Sequence, residues 1–313
     1  MLLAEHGTFH HVYDFDYFEL PFGIEVPLPN LLGLQITKFM VLQVVAVLLT
    51  LWIFSGLVKR IRGGHVANGW WWNFWEMLAV YIRDEVVRPI IGDPHAHHGH
   101  DHEHPEHTEP MTGHQPTMHE LAHPAEATHS HSHVPNGGHP ADKYLPFVWS
   151  CFFYILICNL LGAVPFLGSA TGSAAVTGAL ALCAFLATYI YGSQIHGFGG
   201  FWLALVPGIE APGVLKPLLV IMMFFIEVVG FFIKHAVLAI RLFANIMGGH
   251  TVLGVILGFI MLVANHGVWW LVTPGSIAGQ VGIGLLELLV AFIQAYVFVF
   301  LSTIFIGMSL HEH

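Results

Sequence analysis

The polar positions of this chain are so sparse that its apolar runs define the elements. From Phe39 to Val58 no charged residue interrupts the sequence, and lysines bound the run at 38 and 59. No Asp, Glu, Lys or Arg stands between Lys143 and Glu210, or between Arg241 and Glu287. Each gap is long enough for more than one helix of about 20 residues, the length that crosses a bilayer. Within them the pattern predicts spans over about 146–166 and 174–191. A long apolar helix then starts at Lys216-Pro217, where a first-turn proline loses no hydrogen bond. It runs through Arg241 toward Gly248-Gly249, with apolar sequence on to about 263, and a last span covers about 281–308. The fold class is an all-α polytopic membrane protein with about five transmembrane helices.

The intervening segments are of three kinds. Residues 1–37 are acidic and aromatic, with no Lys or Arg, and form an external N-terminal segment; residues 38–58 are the first transmembrane helix. Residues 59–92 form a loop in which Trp70, Trp71, Trp72 and Trp75 precede Met77, Leu78, Tyr81, Val86 and Val87, with Glu76, Arg83, Asp84 and Glu85 interleaved. That pattern predicts an amphipathic helix lying in the membrane interface. Residues 93–142 form a low-complexity insert that holds 14 of the chain's 24 histidines and is predicted to be disordered, because it has too little apolar area to fold alone. Residues 143–313 make up the main helical domain. Six of the ten basic residues lie between the first two spans, which places that loop and the insert in the cytoplasm and the N-terminus outside. Five crossings then put the C-terminus inside.

Charged residues make up only 10% of the chain, against roughly 25% in soluble domains. The formal charge of −10 comes largely from the N-terminal segment and the insert, so it names no partner, and nothing points to nucleic acid. Cys151, Cys158 and Cys183 fall in apolar runs without metal-ligand spacing and read as small buried hydrophobes. The N-terminus has no basic region of the kind that opens a cleaved signal peptide.

Four formal charges fall within the C-terminal apolar helices: Glu227, Lys234, Arg241 and Glu287. Glu227, Lys234 and Asn245 all lie within about 40° of Arg241 around an ideal helix, so one face carries the four of them. A charge at the helix centre costs about 2.5 to 3.5 kcal/mol even on the lenient insertion scale. A packed ion network is one account of this face, and a wet cavity is the account that the cost favours. An arginine cannot shed its proton at physiological pH, so Arg241 is a fixed charge. On the last helix Glu287 and Gln294 share a face seven residues apart. Glu287 makes sense as a proton relay, and His250 is its candidate imidazole partner. His250 falls about 180° around the helix from Arg241 and about 13.5 Å further along.

Arg241-Leu-Phe-Ala-Asn245, followed by Gly249-His250, together with Gln294-Ala-Tyr-Val-Phe298 on the last helix, resembles subunit a of F-type ATP synthases of the bacterial type. The likeness also takes in Asn159-Leu160-Leu161 with Pro165, and residues 197–201. It is weak over 1–92 and good over 143–313. Gly162 departs from an acidic residue found in some relatives, and the histidine-rich insert matches nothing in the family pattern. The resemblance implies that Arg241 faces carboxylates of a rotating c-ring, with the Arg-bearing helix and the last helix tilted against that ring. Asn245 and Gln294 then stand near Arg241, Glu227 is the acid of the same face, and Lys234 is a less critical basic position. His250 and Glu287 supply one imidazole and one acid, in the order found in mitochondria.

The implied activity is proton translocation through two half-channels separated by Arg241, in a subunit without bond-making chemistry and without a cofactor. The implied partners are the c-ring, the subunit b peripheral stalk and the lipid bilayer, in a bacterial inner membrane. Protons rather than sodium ions are the commoner coupling ion. The competing reading is a divalent metal transporter with a histidine-rich cytoplasmic loop, in which imidazoles such as His97, His98, His100, His102 and His104 bind metal weakly. Such a transporter needs His, Asp or Glu ligands clustered within its spans, where this sequence has an arginine and a lysine.

Overall fold

The computed structural model describes residues 17–20, 24–27, 30–31, 34–61, 69–92, 139–164, 168–205, 216–263 and 267–311. Two short antiparallel pairs come first: β1 (Tyr17–Leu20) with β2 (Ile24–Pro27), and β3 (Asn30–Leu31) with β4 (Leu34–Gln35). The apolar pattern did not predict them, because strands of two to four residues are too short to show alternation. Among the described residues every element after β4 is a helix. Among the described residues five helical stretches are long and apolar enough to cross a membrane: Lys38–Ile61, Pro140–Gly162, Ala174–His196, Lys216–Val263 and Trp269–Leu310.

Helix α1 (Lys38–Ile61) ends on Lys59 and Arg60, where cations suit the negative end of the helix dipole. Arg60 lies over the Trp72 ring at 4.7 Å, which joins α1 to α2 (Trp70–Tyr81). A π-helical turn, Ile82–Val87, and α3 (Arg88–Ile91) continue α2. This segment exposes Trp70, Trp71 and Met77, yet Trp75, Ile82, Val86 and Val87 are buried in the main core. It is therefore amphipathic, with its apolar face set against helices of the same chain rather than only against lipid. Trp149 Nε1 donates to the Ala79 carbonyl at 3.0 Å, and a Cβ on Gly307 would come within 2.9 Å of the Ile90 side chain.

Arg88 Nη1 bonds Asp84 at 3.1 Å, and its Nε bonds Asp142 at 3.2 Å. Arg83 bonds Asp84 at 2.8 Å; this bond holds the Asp84 carboxyl below its ordinary range and raises Arg83. Asp142 thus closes the far end of the insert onto the near end, and a Cβ on Gly92 would run into the His139 ring. His139 accepts from the Ala141 amide at 3.3 Å and starts the 3-10 turn Pro140–Tyr144. The disorder predicted for 93–142 therefore does not extend to residues 139–142. Residues 93–138, with His97, His98, His100, His102 and His104, lie outside the described residues.

Helix α4 (Leu145–Gly162) sits at the centre of the core, with Phe153, Ile155, Leu156 and Cys158 among its buried side chains. Phe54 of α1 meets Phe153 edge-on at 4.9 Å. Helix α5 (Ala174–His196) follows, then the short α6 (Gly200–Ala204). A Cβ on Gly192 would stand 2.6 Å from the Phe201 ring, so a glycine there lets α6 fold back on α5. Cys151 and Cys158 are buried, but Cys183 is exposed. This corrects the expectation that all three are buried, because Cys183 falls on a face of α5, with exposed Leu182 and Leu186, that no other described helix covers.

Helices α7 (Lys216–Val263) and α8 (Trp269–His311) form a long antiparallel pair. Helix α8 starts twelve residues before the predicted 281 and carries Pro274 inside it. That proline lies within the first two turns and costs one backbone bond at a helix end. At about 1.5 Å per residue the 48 residues of α7 measure about 72 Å, more than twice a hydrocarbon layer of about 30 Å. A helix of that length stays within the layer only when inclined by roughly 65° from its normal.

Candidate functional site

The α7–α8 seam gathers the charged and amide side chains singled out in the sequence. Its register is fixed by close pairs. Glu227 lines one pocket with Met308 and Ser309, a Cβ on Gly249 would lie 3.2 Å from Glu287, and a Cβ on Gly279 would lie 3.8 Å from Ile256. In that register Arg241 falls at the level of Gln294. The buried residues of α7, Phe231, His235, Leu238, Leu242 and Ile246, recur at three- and four-residue intervals and mark the face turned to the bundle. Arg241 lies about 100° around the helix from the middle of that face and is exposed. Its neighbours on the exposed side, Val237 and Ile240, are apolar. Asn245, one turn on, is half-buried.

Glu227 and Lys234 line a small open pocket between α6, α7 and α8, with Phe201, Phe231, Phe305 and Ser309 among its other walls. Among the described residues no ion pair of 4 Å or less joins Glu227, Lys234 and Arg241 to one another or to anything else. The three charges are thus spread along about 21 Å of helix as separate groups, which is not the packed ion network that the sequence left open.

At the other end of the seam the structure brings His250 and Glu287 together. His250 Nε2 stands 3.7 Å from Glu287 Oε1, with the side chains 15% and 11% exposed. The separation suits an ion pair but exceeds a hydrogen bond. His250 Nε2 has no hydrogen-bond partner among the described residues, and neither does the Nε2 of Gln294, which is only 6% exposed.

Two polar features were missed by the sequence reading. Asn159, 2% exposed, accepts from Thr171 at 2.8 Å and donates to the Ala291 carbonyl at 3.4 Å, and Ser169 bonds Thr171 at 3.0 Å. This chain ties α4 and the 3-10 turn Ala170–Gly172 to α8 between Glu287 and Gln294. Its only signal in the sequence was Asn159 within an apolar run. The second is His235, buried beside Lys234. Its Nδ1 lies 2.9 Å from the Phe231 carbonyl and its Nε2 3.5 Å from Thr188, with Phe185, Phe231 and Phe305 around the ring. A single histidine on an apolar helix gives no hint of such a cage. Among the described residues no three His, Cys, Asp or Glu side chains gather to hold a metal ion.

Residues 127–307 match a family model described as ATP synthase A chain. The chain is 33% identical over 312 residues to the ATP synthase subunit a of Chloroherpeton thalassium, covering 97% of this chain and 76% of that protein. It is 34% identical over 323 residues to that of Myxococcus xanthus, covering 97% and 88%. The ATP synthase subunit a of a Methylobacterium strain is 39% identical over 176 residues, 56% of this chain and 68% of its own. The first two alignments run through the histidine-rich insert.

Proposed function

Since the chain belongs to the ATP synthase A chain family, a membrane subunit of the ATP synthase, we propose that it is the proton-translocating stator subunit, with Arg241 as an electrostatic gate facing the c-ring. The observation that carries this reading is the setting of Arg241. It is a fixed cation, exposed on an apolar helix and without an ion-pair partner among the described residues. A charge so placed in a membrane needs a counter-charge from outside this chain. The c-ring carboxylates supply one.

A proton enters an outer half-channel and reaches a c-ring carboxylate, which is carried nearly one turn through the lipid before the proton leaves by a second half-channel. Arg241 separates the two channels. Its positive charge favours the ionised form of any carboxylate that approaches, and it repels a proton that would cross directly. Glu287 and His250 relay protons in the outer half-channel, where their 3.7 Å separation lets one proton pass between carboxylate and imidazole through a small shift of either side chain. Glu227 lines a wet channel with Lys234 beside it, while Asn245 and Gln294 position groups around Arg241. The transmembrane potential supplies about 2.3 kcal/mol per charge per 100 mV.

In this reading no bond is made on the chain, and ATP forms on a separate catalytic head. The N-terminus is outside, the insert and the C-terminus are cytoplasmic, the membrane is the bacterial inner membrane, the coupling ion is the proton, and the subunit b stalk is a further partner. Arg241→Ala is expected to abolish ATP-driven proton pumping while the membrane sector still assembles. Near-normal coupled synthesis by that variant would overturn the assignment.

A further inference from the structure

The bundle-facing side of α7 carries one polar side chain. Its buried residues are Phe231, His235, Leu238, Leu242 and Ile246, and four of the five make only apolar contacts, which fix no direction around the helix axis. His235 is different. It is 4% exposed, and its Nδ1 donates to the Phe231 carbonyl at 2.9 Å, since a carbonyl only accepts. Its Nε2 is left facing α5, 3.5 Å from the buried hydroxyl of Thr188. Phe185 of α5 meets the ring edge-on at 5.4 Å, and Phe305 of α8 stands 5.0 Å from it. The imidazole is therefore enclosed by three helices at once.

This hold acts on charges that the ring does not touch. Glu227 lies eight residues before His235, Lys234 directly before it and Arg241 six after it, so all three turn with α7 as one body. At a radius of about 6 Å, a roll of about 20° carries each charge about 2 Å sideways. Where groups must meet, a misplacement of about 1 Å already costs a large factor in rate. Little else opposes such a roll, because only 6% of the most apolar window of α7 is buried inside the chain. The cage also meets the pocket of Glu227 and Lys234 directly, since Phe231 and Phe305 belong to both.

We propose that His235 is a positioning residue, a pin that sets the rotation of α7 and so aims Arg241 out of the bundle and Glu227 into its pocket. This rests on the gate reading above and adds to it a residue that carries no proton along the path. The directional part of the pin is the contact of Nε2 with Thr188, which joins α7 to α5. The bond from Nδ1 stays within α7 and only holds the ring in place for that contact.

The test uses the assembled complex in vesicles and reads the protons pumped per ATP hydrolysed beside the yield of complex. His235→Phe keeps a ring in the cage and removes the contact with Thr188. It is expected to assemble at ordinary yield and to lower the ratio about ten-fold. Thr188→Val, of nearly the same shape as the native residue, repeats the test from α5 and leaves the cage unaltered. It is expected to give the same loss, and the two substitutions together no more than either alone, because both remove one contact. Glutamine places its amide as many bonds from the backbone as Nε2, and asparagine as many as Nδ1. His235→Gln is therefore expected to recover most of the ratio and His235→Asn none of it. A histidine that only fills space would lower the yield and leave the ratio of the remaining complex unchanged. That result in His235→Phe, or a normal ratio in Thr188→Val, would overturn the pin, and with Arg241→Ala still inactive it would leave the gate reading standing. Normal coupled pumping by Arg241→Ala would instead bring down the gate reading itself.

Discussion

Helices α4 and α7 are both apolar enough to cross a bilayer, yet 61% of the most apolar window of α4 is buried inside the protein against 6% for α7. Lipid tails are as apolar as leucine, so hydropathy records the solvent a helix tolerates and says nothing about which helix covers it. The difference lies in what each surface presents. Helix α4 carries Phe152, Phe153, Ile155 and Leu156 in an aromatic and branched cluster that α1, α2 and α8 enclose. Helix α7 turns Phe225, Ile226, Val229, Ile233 and Ile240 outward and sets Arg241 at their edge. One helix forms the core of the subunit, and the other leaves most of its surface uncovered by the described residues of this chain.

Substitutions separate these roles, and the largest contrast comes from Arg241→Ala. Pumping should vanish while the thermal stability of the detergent-extracted membrane sector stays unchanged, since the side chain has no ion-pair partner within the described chain to lose. A drop in stability as large as the drop in pumping would break the contrast. Phe153→Ala on α4 should behave in the opposite way. Its ring is 1% exposed, and truncating a buried phenylalanine costs about 3–5 kcal/mol, so the yield of assembled sector falls and the residual complex pumps at an ordinary rate per molecule.

A smaller effect is expected from Asn159→Leu, which leaves the Thr171 hydroxyl and the Ala291 carbonyl without Asn159; about 1–3 kcal/mol follows if water does not replace it. Melting of the purified sector measures it, and an unchanged midpoint would show that the polar chain does not hold α4 to α8. The smallest concerns Asp84. Its folded carboxyl is held below the ordinary range, so the bridge to Arg83 and Arg88 contributes at neutral pH and is lost as the pH falls below that range. Both partners are about a third exposed, which keeps the contribution slight. Asp84→Asn should flatten the acid limb of stability, and an identical acid limb in wild type and variant would show that the bridge is idle.

The five apolar runs were legible because their length and lack of charge leave no other arrangement of the backbone in a bilayer. Element ends were less so. The start of α8 was hidden by Pro274 and the glycines at 275, 279, 282 and 284, which weaken a helix in isolation but are tolerated where neighbouring helices satisfy the backbone. The proximity of His250 and Glu287 was reachable from chemistry, since an acid at depth needs a partner and one histidine lay at a matching level. The Asn159–Thr171–Ser169 chain was not. It joins residues of two elements through a turn whose path is set by tertiary packing, with Gly162 placed against Ser169. The surroundings of His235 were hidden for the same reason, because its cage comes from α5, α7 and α8 at once.

The length of α7 also has an electrical meaning. On a helix inclined by roughly 65°, a step along the axis changes depth by only about four-tenths of its length. Glu227 and Arg241, about 21 Å apart along the axis, then differ by about 9 Å in depth, roughly a third of the potential across the hydrocarbon. Arg241 and His250 differ by about 6 Å. Moving a unit charge between the levels of Glu227 and Arg241 changes its energy by only about 0.7 kcal/mol per 100 mV. An inclined helix of this length thus spreads its charged groups over less than half the depth, and so less than half the voltage, that it would span upright.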